Sequence, residues 1–186
     1  MKVFIDPGHG GSDPGAVNES FGITEAFVNL DIAKRLQSIL YARGYETMMS
    51  RTTDDFVGLR ERANMANNWG ANYFISVHSN ASENPNANGT ETLYHRENTT
   101  GERLANEIQV QLILQNNLSD RGIIPRPNLA VLRLTNMPAV MAEVAFISNP
   151  KEAALLASPE FRQQSAQAIA DGFTNFINMN SAQQQV

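Results

Sequence analysis

Two histidines and two glutamates have the residue types and surroundings for metal-assisted hydrolysis. His9 and His78 each end a short apolar run that is typical of a buried strand, and Glu25 stands at the start of a helical pattern. Two imidazoles and one carboxylate, with the fourth position open, are the donor set of a catalytic zinc ion. We therefore regard His9, Glu25 and His78 as candidate ligands for one Zn²⁺.

Glu143 ends a third apolar run, which starts at Ala139 and is also typical of a strand. A carboxylate among so many apolar residues costs free energy to bury unless it has a role there. Beside the three candidate ligands, it would take a proton from a water molecule and pass it to the leaving amine. Glu143 is therefore the candidate general base.

The spacing of these residues leaves structural roles open. A histidine at a strand end often serves only as a hydrogen-bonding group, and the helix dipole favours an acidic first-turn residue such as Glu25. The chain has no compact HExxH motif. A serine mechanism fails, because Pro14 stands where Ser12 would need the second flanking glycine of a nucleophile elbow. The residues alone favour a zinc hydrolase without deciding it.

The segments that must position these residues alternate between strand-like and helix-like patterns, which indicates an α/β fold with a largely parallel sheet. Functional groups in such sheets meet at the carboxyl ends of the strands, so all four candidates can share one edge. Thr24 is the expected N-cap of the first helix and Gly44 its left-handed end. The remaining predicted strands are 45–50, 73–78, 90–94 (an edge strand), 130–134 and 139–146, and further helices cover 59–69 and 104–115 and start at Pro150 and Pro159.

Length and composition predict one soluble domain and exclude several partners. The chain has 186 residues, 42% of them hydrophobic and 18% charged, and a formal net charge of −5. No basic stripe is present, so nucleic acid is not an expected partner. No apolar stretch approaches the roughly 20 residues of a membrane helix, and the N-terminus lacks the features of a signal peptide. The absence of cysteine excludes disulfides and thiolate ligands. We expect a catalytic domain over 1–178 and a polar tail or linker stub over 179–186.

The order of motifs along the chain resembles that of the zinc-dependent N-acetylmuramoyl-L-alanine amidases of the Amidase_3 family. The resemblance covers residues 2 to 177, nearly the whole chain. Each motif alone is weak, and their ordered combination is specific. They are Ile5–Ala16, Glu25–Leu30, Ser50–Asp54, Leu59 with Arg62, Ile75–Asn80, Met137–Val140 and Glu143–Asn149.

The resemblance implies a single α/β domain with a twisted, mostly parallel six-stranded sheet flanked by helices on both faces. It implies one zinc ion on His9, Glu25 and His78, with Glu143 as the catalytic glutamate. The implied substrate is bacterial peptidoglycan, cut at the amide between the lactyl group of N-acetylmuramic acid and the L-alanine of the stem peptide. Because the segment from Asn80 to Gly89 has no room for an autoinhibitory helix, we expect an active monomer that needs no activator protein.

Three neighbours of the candidate site are assigned supporting roles. Asp6 is expected to orient a ligand imidazole, since metal-bound histidines usually donate their other N–H to an acceptor. Asn80 is expected to bind substrate, and Arg133 to reach a carboxylate of the stem peptide. Each of the three has an equally simple structural interpretation.

Two other functions stay open. A stem-peptide carboxypeptidase would use the same ligands, and a wall-binding module with an inactive site would not need them intact. The expected place of action is the bacterial cell wall. Without a leader, the protein would reach it by lysis, by phage-mediated release or as part of a longer secreted chain.

Overall fold

The computed structural model describes residues 1–95 and 98–183. Within these ranges the chain forms eight strands and six helices. The strands are β1 (Lys2–Pro7), β2 (Val17–Asn18), β3 (Ile23–Thr24), β4 (Glu46–Met49), β5 (Tyr73–Asn80), β6 (Thr90–Tyr94), β7 (Asp120–Pro125) and β8 (Ala139–Phe146). The helices are α1 (Glu25–Ala42), α2 (Leu59–Trp69), α3 (Thr99–Asn116), α4 (Ala130–Arg133), α5 (Pro150–Ala157) and α6 (Pro159–Gln183).

Six of the strands form one sheet in the order β4-β1-β5-β8-β6-β7. Neighbours pair in parallel except β6 and β8, which are antiparallel. The predicted α/β domain with a mostly parallel six-stranded sheet is therefore confirmed. Because β1, β5 and β8 are adjacent and parallel, their carboxyl ends lie side by side at one edge of the sheet.

Alternate residues of each central strand contact different layers of helices. In β1, Val3 and Ile5 belong to the larger hydrophobic core, which also contains apolar residues of α1, α3 and α6. Phe4, between them, belongs to a second core with residues of α2 and α4. Burial of apolar side chains on both faces is the main stabilising contribution in such a layered fold. Helices thus cover both faces of the sheet, as predicted.

Helix ends follow the signals in the sequence. The Thr24 hydroxyl accepts a hydrogen bond from the Phe27 backbone N–H and caps α1, and Gly44 follows that helix with a φ of 85°. Asn149 caps α5, which starts at Pro150 as predicted. The last helix continues to Gln183, so part of the predicted tail is helical, and the domain boundary at 178 stays a prediction. No helix among the described residues is both long and apolar enough to cross a membrane.

Several elements differ from the sequence-based predictions, which did not include the short strands β2 and β3. The predicted strand 130–134 contains the short helix α4 (Ala130–Arg133), because an apolar run of this length fits either element. Strand β7 was not predicted. It covers the outer side of β6, which is therefore an interior strand and not an edge. The polar residues of β6 suggested exposure, but the Thr92 hydroxyl is buried and donates to Gln109.

Candidate metal and catalytic site

The three candidate ligands meet at the carboxyl edge of the sheet. One ligand atom from each of His9, Glu25 and His78 lies within 4.8 Å of the others. Glu25 Oε1 is 3.2 Å from Nε2 of His9 and 2.9 Å from Nδ1 of His78. Two imidazole nitrogens and a carboxylate therefore converge on one point, which fits the donor set of Zn²⁺.

Neighbouring elements deliver these side chains. His9 follows β1, His78 lies near the end of the adjacent strand β5, and Glu25 is the first residue of α1. Gly8 makes room for the His78 ring, because a Cβ at position 8 would lie 2.2 Å from its Nε2. Gly15 makes room for the Glu25 carboxylate in the same way, because a Cβ at position 15 would lie 2.8 Å from its Oε2. The glycines of the first loop thus let the ligands approach each other.

The backbone of the His9 loop is left-handed over three successive residues, with φ values of 59° at His9, 127° at Gly10 and 57° at Gly11. A left-handed conformation is unfavourable for a residue with a Cβ, so surrounding contacts must hold His9 in place. Gly10 and Asp13 exchange backbone hydrogen bonds of 2.7 and 3.1 Å. Arg62 Nη2 donates to the His9 carbonyl at 2.8 Å.

Two buried arginines donate hydrogen bonds to backbone carbonyls of this loop and of the end of β1. Arg51 donates to the carbonyl of Gly8 at 2.8 Å and to that of Pro7 at 3.1 Å. Arg62 donates to the Pro7 carbonyl and to Asp6, at 2.6 and 2.8 Å. Guanidinium groups satisfy several carbonyls at once, so they fix a loop that lacks regular secondary structure.

Asp6 belongs to this support and does not contact an imidazole in the hydrogen-bond network of the described residues. Its carboxylate accepts from the hydroxyls of Ser50 and Ser76, at 2.6 and 2.8 Å, and from Arg62. Asp6 lies on β1 and is bonded to these supporting groups, and its expected role toward a ligand imidazole stays a prediction.

Asp13 is the carboxylate that contacts a candidate ligand. Its Oδ2 lies 2.9 Å from Nδ1 of His9, and its Oδ1 accepts from the Gly15 backbone N–H at 3.1 Å. A proton on Nδ1 leaves the lone pair of Nε2 free for a metal ion. Asp13 was not among the candidate residues predicted from the sequence. The turn that brings Asp13 back toward His9 depends on the Gly10–Asp13 pairing, which the sequence does not display.

The electrostatics of the ligand group favour a cation. Hydrogen bonding to Glu25 raises the pKa of His9 to about 9. Burial opposes ionisation of Glu25, but hydrogen bonds from His78 and His9 hold the pKa of this carboxyl well below its usual range. Without a metal ion, a proton shared with the imidazoles balances the buried negative charge. A divalent cation would take the place of that proton, as metal binding to such groups generally does.

Glu143 lies directly across from His78 in the register of β5 and β8. Its Oε2 is buried and has no hydrogen-bond partner among the described residues. Burial raises the pKa of this carboxyl to about 7, and the nearby negative charges of Glu25 and Glu91 add to the effect. A carboxyl group that titrates near neutral pH can both accept and donate a proton. The strand continues to Phe146, so Glu143 lies within it and not at its end.

A polar chain continues from Glu143 across the sheet. Glu91 of β6 is the register partner of Glu143 and is buried. Its Oε1 accepts from Asn80 Nδ2 at 3.0 Å, and its Oε2 accepts from Arg121 Nε at 2.7 Å. The side-chain oxygen of Asn80 accepts from the Ala81 backbone N–H at 2.9 Å. Asn80 therefore lies near the site, and its role in substrate binding stays a prediction.

Arg133 is exposed at the end of α4 and lines a surface cavity of about 350 Å³ that also contacts His95 and Asn98. None of the candidate ligands lines that cavity. Its proposed contact with a stem-peptide carboxylate stays a prediction.

An apolar cleft of about 350 Å³ opens beside the ligand group, on the β1 side. We call it the Phe56 cleft. Its outer wall includes Phe56 and Leu59, which are 58% and 60% exposed. The segment that carries Phe56 packs on the His9 loop, because a Cβ at Gly11 would lie 2.5 Å from the Phe56 nitrogen. The cleft is lined by Asp6, Gly8, His9, Asp13, Phe56, Val57, Leu59, Arg62, His78 and Val131.

Comparison with known proteins places this geometry in a family. The model of the Amidase_3 family, described as N-acetylmuramoyl-L-alanine amidase, matches residues 3–175. The chain is 39% identical over 176 residues to the N-acetylmuramoyl-L-alanine amidase LytC of Bacillus subtilis, a match that covers 94% of this chain. It covers only 35% of LytC, so the chain spans about a third of the length of that relative.

Solved structures show the same fold. The catalytic domain of CwlV, an N-acetylmuramoyl-L-alanine amidase from Bacillus (Paenibacillus) polymyxa, is 40% identical and superposes with a TM-score of 0.90, over 95% of this chain and 98% of that one. The amidase CwlD of Clostridioides difficile, solved in complex with the GerS lipoprotein, is 28% identical with a TM-score of 0.92. That match covers 96% of this chain and 98% of CwlD.

Proposed function

The chain belongs to the Amidase_3 family of N-acetylmuramoyl-L-alanine amidases, and from this membership we propose that it hydrolyses peptidoglycan in the bacterial cell wall. The bond cut is the amide between the lactyl group of N-acetylmuramic acid and the L-alanine of the stem peptide. One observation carries the proposal: a convergent His9–Glu25–His78 group stands beside the buried, unpartnered Oε2 of Glu143.

The residues that would hold one Zn²⁺ are His9 through Nε2, His78 through Nδ1 and Glu25 through its carboxylate. When bound, the zinc ion supplies Lewis acidity, which polarises a carbonyl group and lowers the pKa of water. Asp13 keeps the proton of His9 on Nδ1, and the buried position of Glu25 limits competition from solvent.

Glu143 would move the protons of the reaction. As a carboxylate it accepts a proton at Oε2 from the attacking water, and as a carboxylic acid it then delivers that proton to the nitrogen of the leaving L-alanine. Its raised pKa suits both steps, because proton transfer is most effective when the pKa of the group lies near the working pH. The lack of a hydrogen-bond partner leaves Oε2 available for the water molecule.

Asp13→Asn is expected to lower zinc affinity about 10–100-fold while leaving the fold intact, because groups that hydrogen-bond to metal-bound histidines generally have effects of this size. The amide loses the negative charge that stabilises the Nδ1–H of His9. Competition with a chelator of known affinity would measure the effect. Glu46→Gln, exposed at the start of β4, is the control for loss of one carboxylate away from the site, and a similar loss of zinc affinity there would argue against a specific role for Asp13.

The experiment that tests the function is a digest of purified peptidoglycan, with and without a chelator, followed by mass spectrometry. We expect stem peptides with a free L-alanine amine, together with intact glycan strands. Chelation should abolish their release and added zinc should restore it. Shortened stems still attached to muramic acid would instead identify a stem-peptide carboxypeptidase. Full activity after chelation would contradict the metal mechanism.

We also propose that the chain acts as a monomer without an activator protein. Residues 81–89, which join β5 to β6, form a short connection with no helix or strand. The side chains of His9 and His78 are 25% and 17% exposed, so the ligand group is open to solvent. The relative CwlD was solved with the GerS lipoprotein, so activity of the purified chain alone is the relevant test.

A further inference from the structure

The site has two unlike sides, and their order follows the order of the strands. The Phe56 cleft lies on the β4–β1 side of the ligand group, since Phe56 follows β4 and packs on the loop after β1. Glu143 lies on the opposite side, on β8. Beyond it come Glu91 on β6 and Arg121 on β7. The substrate of the proposed reaction also has two unlike halves, joined at the bond that is cut.

Proton delivery fixes which half lies on which side. Glu143 must reach the nitrogen of the scissile amide in order to protonate it as the peptide leaves. The leaving peptide must therefore extend from the metal toward β8, and the acyl half, which carries the sugar, must extend the other way. The side opposite Glu143 is the Phe56 cleft.

We propose that the Phe56 cleft binds the muramyl-lactyl half of the substrate, and that the stem peptide leaves over Glu91 and Arg121. This inference rests on the proposed amidase function. It assigns substrate-binding roles to Phe56 and Leu59, which line a cleft to which no described residue of β8 contributes.

The chemistry of each side matches its occupant. The Phe56 cleft offers an exposed aromatic ring and aliphatic side chains to the methyl of the lactyl group and to the C–H face of a pyranose. Aromatic side chains supply large apolar contact areas at low entropic cost.

The other side carries a cation for the carboxylates of the stem peptide. The Arg121 side chain is 41% exposed, and its Nε is held by Glu91 while the guanidinium stacks 4.9 Å from the centre of the Phe146 ring. Its Nη1 also donates to the Asn88 carbonyl at 3.4 Å, and a guanidinium held in this way presents its remaining nitrogen, Nη2, in a defined orientation for a carboxylate.

The test measures binding of the two reaction products to the zinc-loaded protein by calorimetry, so it does not depend on turnover. The ligands are the GlcNAc–MurNAc disaccharide with its free lactyl carboxylate and the free stem tetrapeptide. Phe56→Ala is expected to weaken the disaccharide about tenfold, the size expected for loss of one buried aromatic contact. The affinity for the tetrapeptide should change less than twofold. Phe56→Trp should retain disaccharide binding.

Tyr41→Ala is the matched control, because Tyr41 is 73% exposed at the far end of α1. It should change neither affinity. Arg121→Gln gives the reciprocal measurement and should weaken only the tetrapeptide.

Three results would overturn the proposed orientation. They are loss of tetrapeptide binding in Phe56→Ala, equal losses for both products, and no measurable disaccharide binding by the unmodified protein. Failure of the amidase function itself would appear separately, as the absence of stem peptides with an L-alanine amine in the peptidoglycan digest. A chain that is active in the digest and binds the products in the reverse order would disprove only the orientation.

Discussion

Glu143→Gln is expected to keep the zinc ion and to lose turnover by a factor of about 10²–10⁴, the usual contribution of a positioned acid–base group. The amide is nearly the same size as the carboxyl group, so the packing of β8 should not change. It cannot accept the proton of the attacking water, and it cannot return a proton to the leaving nitrogen. Because Oε2 has no hydrogen-bond partner among the described residues, its replacement removes no hydrogen bond that they make.

The measurement is the initial rate of stem-peptide release, with zinc content determined on the same preparations. Glu46→Gln is the matched control, since Glu46 is exposed at the start of β4, at the opposite edge of the sheet. That variant should retain the unmodified rate. A Glu143→Gln protein with a near-normal rate and a full complement of zinc would show that another group moves the proton.

The pH dependence of the unmodified protein supplies a second readout of the same group. Since burial holds the pKa of Glu143 at about 7 in the metal-free site, the carboxylate form needed to accept a proton is lost as the pH falls below that value. A nearby zinc ion would favour the carboxylate and move this limit to lower pH. Over the pH range in which the zinc content stays constant, the acidic limb of the rate profile should therefore be absent from the residual activity of Glu143→Gln.

His78→Ala is expected to abolish both zinc binding and activity. The substitution removes one of three converging donors and leaves only His9 Nε2 and Glu25 Oε1, which lie 3.2 Å apart. Zinc should raise the melting temperature of the unmodified protein, because a ligand that binds only the folded state stabilises it. In His78→Ala this shift should disappear. Metal analysis and thermal unfolding with and without zinc would measure the two effects.

The third histidine of the chain provides the control. His95 follows β6, is half-buried and lies outside the ligand group. His95→Ala should bind zinc and retain the zinc-dependent shift of the melting temperature. If His78→Ala also retained a full equivalent of zinc, the ligand assignment would be wrong, whatever happened to activity.

Sequence patterns predicted the fold where long periodic segments met clear end signals. The first helix shows this, since Thr24, Gly44 and the apolar residues between them specify its start, its end and its buried face. Short elements were less predictable. The run 130–134 is apolar enough for a buried strand, and only its packing against α2 makes it a helix. The position of β6 inside the sheet depends on β7. That strand contains Gly122 and two charged residues, which are not typical of a strand, so the sequence did not predict it.

For the site, the residue types indicated the candidate metal ligands more clearly than the groups that hold those ligands in place. His9, Glu25 and His78 follow from the chemistry a zinc ion requires, and parallel strands bring such residues to one edge. Asp6 and Asp13 are equally plausible partners for an imidazole in the sequence. In the folded loop, Asp6 pairs with Arg62, whereas the turn between Gly10 and Asp13 brings the Asp13 carboxylate to His9. Contacts set by a loop of left-handed residues have no periodic signature.

The left-handed backbone at His9 also bears on how this position can change. At a φ of 59°, glycine or asparagine would have a lower backbone conformational energy than histidine, since both tolerate the left-handed region. Replacement of His9 by either residue would thus relieve conformational strain while it removes a metal ligand. Position 9 is therefore a place where selection for stability and selection for catalysis act in opposite directions. A lineage that no longer needs the activity would be expected to lose this histidine early, because its contacts with Asp13 and Glu25 must then offset the strain of the left-handed backbone.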